Sequence, residues 1–214
     1  MIIVETKKIE ELAESLAGKK KVLIVGCNGC VGIHQQGGER QAEELAELFK
    51  LDKVLKNVDT TVTSILRQCD KSIVKDALTD LAAEADAILA MACGAGVQVV
   101  AESFDIPALP AHNTSFIGVQ ERESETFYER CVACGNCILH LTGGICPVTR
   151  CPKSHMNGPC GGLYNGKCET DKNRDCAWIL IYNRLKALGE LDRLKTIMEP
   201  KDFSKKTHPR SQEA

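Results

Sequence analysis

Along the first half of the chain, apolar residues switch repeatedly between two spacings. At Ile9, Leu12 and Leu16 they recur every three to four residues, the period of a helix, and Gly18 with Lys19, Lys20 and Lys21 reads as its end. Val22-Leu23-Ile24-Val25 is instead a continuous apolar run, as expected for a strand buried on both faces of a parallel sheet. The turn Gly26-Cys27-Asn28-Gly29-Cys30 follows, and residues 40–49 return to helical spacing with Leu45, Leu48 and Phe49 on one side. The alternation then repeats. It predicts a strand over residues 60–66, a helix over 72–84 with Ile73, Leu78 and Leu81 inward, a strand over 87–91, and a short helix over 97–102 after Cys93-Gly94-Ala95-Gly96. Pro107 and Pro110 confine a fourth strand, residues 106–109, to a sheet edge. Strands alternating with helices predict an α/β domain over residues 1–122, a mostly parallel sheet flanked by helices of the flavodoxin or Rossmann kind, with residues 114–122 as its outgoing link.

The pattern changes beyond that point. From Cys131 to Cys168 no period is sustained and Gly and Pro are frequent, so a loop-rich domain over residues 123–198, held by metal ligation, is expected. Helical spacing returns from Cys176 to Leu188, with Gly189 as C-terminal cap and Trp178 as a packing residue. Residues 199–214 are polar, carry Pro200 and Pro209, and read as a tail or partner-bound arm without a fold of its own.

Cysteine usage sharpens this picture. Of twelve cysteines, eight fall between Cys131 and Cys176. Cys131, Cys134 and Cys137 form a C-x2-C-x2-C run that can present three thiolates to one iron–sulfur cubane. Cys146-Pro147 and Cys151-Pro152 each offer the Cys-Pro step that crosses to a second cluster in two-cluster ferredoxins. Cys160, Cys168 and Cys176 suit either a further cluster or, with one more sulfur, a tetrahedral zinc site. The remaining four, Cys27, Cys30, Cys69 and Cys93, each follow the end of a predicted strand. The carboxyl ends of parallel strands converge on one edge, so these four can meet there despite their separation in sequence. Helix N-termini at that edge favour an anionic thiolate cluster, and Gly29, Gly94 and Gly96 are expected to let backbone approach the sulfurs. Two or three [4Fe–4S] clusters are expected in all, with zinc as the alternative at one centre.

Other chemistries fit less well. The net charge of −2 and the 4% aromatic content give no footprint for nucleic acid, and no apolar run is long enough to span a membrane. The start of the chain lacks the pattern of a secretory signal, which favours a reducing cytoplasm over disulfides. The turn after the first strand lacks G-x-G-x-x-G, arguing against a dinucleotide site, and no Ser-His-Asp or Cys-His arrangement is legible. His34, His112, His140 and His155 read as structural or supporting groups, since cysteines already supply enough ligands.

The runs T-G-G-I-C-P at residues 142–147, N-G-P-C-G-G at 157–162, G-K-C-E at 166–169 and C-A-W at 176–178 resemble the methylenetetrahydrofolate reductase C-terminal family. The resemblance extends over essentially the whole chain. It implies a non-catalytic iron–sulfur subunit that passes electrons to the flavin of a partner, a MetF-type TIM-barrel methylenetetrahydrofolate reductase subunit, and that receives them from an upstream donor protein. Two other classes remain open, a zinc-bearing structural scaffold and a self-contained iron–sulfur oxidoreductase.

Overall fold

The computed structural model describes residues 1–212 and divides into two compact units, Met1–Phe116 and a second starting at Ile117. The first unit opens with β1 (Ile2–Thr6) and α1 (Ile9–Ser15), followed by β2 (Lys21–Cys27), the single turn α2 (Cys30–Ile33) and α3 (Glu39–Leu51). Next come β3 (Asp59–Ile65), α4 (Lys71–Ala83), β4 (Ala87–Met91), α5 (Gly94–Ser103) and β5 (Ala108–Pro110). Strands β3, β2, β4 and β5 hydrogen-bond in that order, all parallel, as the alternating pattern predicts. β5 lies at the edge, where Pro110 costs no interior ladder bond.

The alternation of side chains along β2 divides the core into two halves. Val22 and Ile24 pack with Leu12 and Leu16 of the α1 segment and with Leu45 and Phe49 of α3 on one face. Leu23 and Val25 pack with Val74 and Leu78 of α4 and Val100 of α5 on the other. Leu48, expected inward, is exposed; on α3 the buried stripe runs through Ala42, Leu45, Ala46 and Phe49, because small alanines bring the helix close to the sheet on that side. The N-terminal residues 2–6, which lack a clear period, form a strand that pairs with β6 (His112–Glu121) and stays outside the parallel sheet.

In the second unit, residues 117–121 of β6 pair antiparallel with β7 (Thr126–Cys131), from Glu121 opposite Thr126 to Ile117 opposite Cys131, with a bulge at Ile117/Gly118. A hairpin thus occupies part of the stretch expected as a plain link. The single turn α6 (Pro147–Arg150), the short hairpin of β8 (Lys167–Cys168) and β9 (Asp171–Asp175), and α7 (Ala177–Leu188) follow. Gly189 ends α7 at φ 71°, and the N–H of Glu190 donates to the Leu185 carbonyl at 2.8 Å, the left-handed cap foreseen. The buried core here is small: Trp178, Ile181 and Leu185, with Ile145, Cys176, Leu191 and Met198 packed at its margin. Residues 203–206 form a turn of 3-10 helix within the segment expected to lack local structure.

Candidate functional site

The sheet order reverses at β2. The chain leaves β2 for β3 on one side and returns for β4 on the other, which opens a crevice at the carboxyl ends of β2 and β4. Cys27 is the last residue of β2, level with Ile65 at the end of β3, while Gly26 is level with Met91 at the end of β4. Cys69 follows β3 by four residues, Cys93 is the N-cap of α5, and Cys30 opens α2. The turn expected over residues 26–30 therefore gives up Gly26 and Cys27 to β2 and Cys30 to α2, while the strand ends that carry the cysteines lie at one edge of the sheet.

Local contacts pin this edge. The Gln68 side chain is buried, and its Nε2 donates to the Val25 carbonyl at 2.7 Å, tying the loop that holds Cys69 to β2. A Cβ on Gly96 would stand 3.0 Å from the Cβ of Gln68, so this glycine is what lets the first turn of α5 reach the same loop. Asp70 caps α4 by accepting from the N–H groups of Ser72 and Ile73, which fixes the exit from Cys69. Burial pushes the Cys27 thiol pKa up. The backbone N–H groups of Gln68 and Gly29 oppose this, and the charges of Cys69 and Cys93 raise it further. Three of the four sulfurs thus share one electrostatic neighbourhood, with Cys30 one turn along the chain. Sulfur contact is not what the glycines serve: beside Cys27 Sγ a Cβ on Gly29 would make ordinary contact at 3.6 Å, and Gly94 faces Thr114.

In the second unit, Cys151, Cys160, Cys168 and Cys176 line one small pocket, together with Lys153 and Glu169. The Cys160 thiol donates to Glu169 Oε2 at 3.3 Å, and Lys153 pairs with the same carboxylate. Cys168 lies 3.3 Å from the Thr170 hydroxyl, a contact that holds its thiol pKa down. Cys176 is the N-cap of α7, and its N–H donates to the Gly166 carbonyl at 2.9 Å, which brings the helix start to the β8–β9 hairpin. Trp178 forms part of the pocket wall, and its Nε1 donates to the His155 carbonyl at 2.8 Å, the packing role expected of it.

Cys131 ends β7, and the run to Cys137 turns back on itself: the N–H of Ala133 donates to Cys131 Sγ at 3.3 Å, with Ala133 and Gly135 both at positive φ. Cys146 is the N-cap of α6, which is held against β7 by a 3.1 Å bond from the Thr149 hydroxyl to the Arg130 carbonyl. α6 thus carries Cys146 at its start and Cys151 at its end, and Cys151 lines the pocket of the later cysteines. The tail returns to the same run. Lys201 Nζ donates to Cys134 Sγ at 3.0 Å and to the Asn136 carbonyl, and Arg210 Nη1 donates to the Ala133 carbonyl at 3.1 Å. The Lys201 ammonium holds the Cys134 pKa below its ordinary value.

All twelve thiols are free, and among the described residues no three Cys, His, Asp or Glu groups already stand at ligation distance around one point. Cys151, Cys160, Cys168 and Cys176 would offer four thiolates to a soft metal, with Glu169 beside them. His112 is buried, with its Nε2 2.9 Å from the Gln36 carbonyl, and burial lowers its pKa to about 4. His140 and His155 take part through their carbonyls, which accept from Arg193 and Trp178. Gln68, Glu169, Lys201 and Arg210 carry no signal in the sequence, because each reaches a cysteine or the backbone near one by a route that no spacing encodes.

Residues 109–204 match the family model described as methylene-tetrahydrofolate reductase C terminal, a span of fewer than half of the 214 residues. This relates the chain to methylenetetrahydrofolate reductase through its second unit and leaves residues 1–108, with three of the four parallel strands and all four N-terminal cysteines, outside the match. No curated protein and no solved structure matches. Among the described residues no helix is long and apolar enough to cross a membrane.

Proposed function

We propose that this chain is an iron–sulfur electron-transfer subunit, of the MetV kind, that serves a flavin-bearing methylenetetrahydrofolate reductase subunit of the MetF type. The observation that carries the reading is the convergence of Cys151, Cys160, Cys168 and Cys176 on one pocket and of Cys27, Cys69 and Cys93 on one edge of the parallel sheet; on this reading Cys30 completes the second set, and Cys131, Cys134 and Cys137 with Cys146 form a third. The relation of residues 109–204 to the reductase family supports the choice of partner.

A bound cluster at each set would supply one-electron storage and transfer. The chain's own residues do the rest. Backbone N–H groups of Gln68 and Gly29 directed at Cys27 stabilise negative charge on that sulfur in a buried place. Lys201 does the same at Cys134 with a full positive charge. At the third set, Glu169 accepts from Cys160 and must give up that proton acceptor role once the thiol is deprotonated for ligation, leaving Lys153 as its partner.

Metal and acid-labile sulfide analysis with EPR on the anaerobically purified chain tests this reading. Iron with sulfide at all three sets is the expected result, and Cys69→Ser should remove one centre while the other two persist. Zinc without iron at the Cys151/Cys160/Cys168/Cys176 set would make that centre a structural one, and zinc throughout would replace the electron carrier by a scaffold. The chain is expected to copurify with a flavoprotein and, once isolated, to reduce no methylenetetrahydrofolate.

A further inference from the structure

The second unit holds a cluster of charge that the cysteine sets do not use. An open groove of about 500 Å³ is walled by β7, the end of α6 and β9, and three arginines line it: Arg130, Arg150 and Arg174. The bond from Thr149 to the Arg130 carbonyl brings two of these elements together, so the convergence follows from the fold rather than from adjacency in sequence.

Two of the guanidinium groups have partners. Arg130 lies over the Tyr128 ring, 4.9 Å from its centroid, and donates to the Glu129 carbonyl. Arg174 stands 3.6 Å from Asp171. Arg150 is partly buried, and among the described residues its side chain makes no ion pair or hydrogen bond. Of the three carboxylates in the groove wall, Asp175 is taken by Lys167 at 2.7 Å and Glu121 accepts from the Ser124 hydroxyl at 2.7 Å, while Glu129 is exposed. Arg150 thus lines an open groove beside two other guanidinium groups with no acceptor among the described residues, and an anion in the groove would supply one.

We propose that Arg130, Arg150 and Arg174 form a binding groove for a multiply charged oxyanion of the phosphate or dicarboxylate class. Planar guanidinium forks donate to two oxygens at once, so an anion seated at Arg150 gains paired, charge-assisted bonds and relieves the mutual repulsion of the three arginines. The inference does not rest on the electron-transfer reading, since none of the groove residues is a cysteine.

The test is isothermal titration calorimetry on the full chain as purified, using inorganic phosphate and glutarate separately at constant ionic strength. Saturable binding of one equivalent is expected, and which of the two anions binds assigns the source of the oxyanion. Arg150→Gln should weaken binding about tenfold. Arg150→Lys, which keeps the charge and loses the fork, should also weaken it, while Lys172→Gln, the same charge change on an exposed neighbour outside the groove, should leave it unchanged. If Arg150→Gln does not fold, as judged by its thermal melt, Arg174→Gln at an exposed position carries the same expectation of weaker binding. Absence of saturable binding with either anion, or an equal loss in Lys172→Gln, overturns the proposal.

Discussion

The two units reach stability by different means. The first buries apolar side chains on both faces of a four-stranded parallel sheet, from Leu12 and Phe49 on one side to Leu78 and Val100 on the other. The second fully encloses little beyond Trp178, Ile181 and Leu185, and strings eight cysteines through tight loops around that small core. A unit with so little buried apolar area needs covalent or metal cross-links to offset its chain entropy, whereas the first does not. The difference teaches that cysteine can have opposite relations to a fold. In the first unit the fold positions the cysteines; in the second, ligation of the cysteines is expected to hold the fold.

The sharpest way to break that comparison is to remove metal. Anaerobic chelation should leave the far-UV signature of the α/β unit in place and open residues 117–212 to protease. Trp178 is the only tryptophan, so its fluorescence reports on the second unit alone. A Trp178 emission maximum unchanged after every metal is lost would remove the distinction between the units.

Leu78→Ala probes the other half. Leu78 is fully buried between α4 and the sheet, and its truncation should destabilise the first unit by about 2 to 5 kcal/mol, measured by denaturant unfolding. A cost well under that range would mean that the parallel sheet leans on something other than its apolar faces.

Protonation gives a third handle, again in the first unit. His112 is 3% exposed and titrates at about 4 in the folded chain against 6.5 when free. Its folded pKa is the lower one, so its contribution is fully present above pH 6.5 and is lost as pH falls toward 4, by about 3 kcal/mol in all. His112→Gln should flatten stability over that window, leaving the smaller slope of His34, whose pKa burial also depresses. An unchanged slope in the variant would assign the acid sensitivity elsewhere.

The same contrast explains what the sequence could and could not convey. The continuous apolar run Val22–Val25 and the helical spacing after it were sufficient to find the parallel sheet, and therefore the edge that gathers Cys27, Cys69 and Cys93, because both periods are set by the buried core. The second unit has little core to impose a period. Its β6–β7 and β8–β9 hairpins are short and polar on exposed faces, and they left no alternation to detect. The division of its cysteines was hidden for a related reason. Cys146 and Cys151 are five residues apart and both precede proline, and only the fold, which puts Cys151 in the pocket with Cys160, Cys168 and Cys176, tells one from the other. The tail misled most, since its polar composition resembles a free arm while Lys201 and Arg210 return it to the Cys131–Cys137 loop.

That return underlies the prediction with the smallest expected effect. Lys201 reaches Cys134 Sγ at 3.0 Å and also the Asn136 carbonyl, while Arg210 holds the Ala133 carbonyl, so the loop between the three cysteines is bound to the tail at three points. A positive charge held against a ligand sulfur favours whichever oxidation state carries more negative charge, which for an iron–sulfur centre is the reduced one. Lys201→Met keeps most of the length and apolar stem and removes the charge. It should cost about 1 kcal/mol or less in stability, leave iron content unchanged, and shift the reduction potential of this one centre to a more negative value in an EPR-monitored titration. Lys201→Arg, with the charge retained, should stay close to the parent. Loss of iron in Lys201→Met would make the tail part of the fold of that loop, and equal potentials in all three proteins would leave the ammonium without influence on the centre it touches.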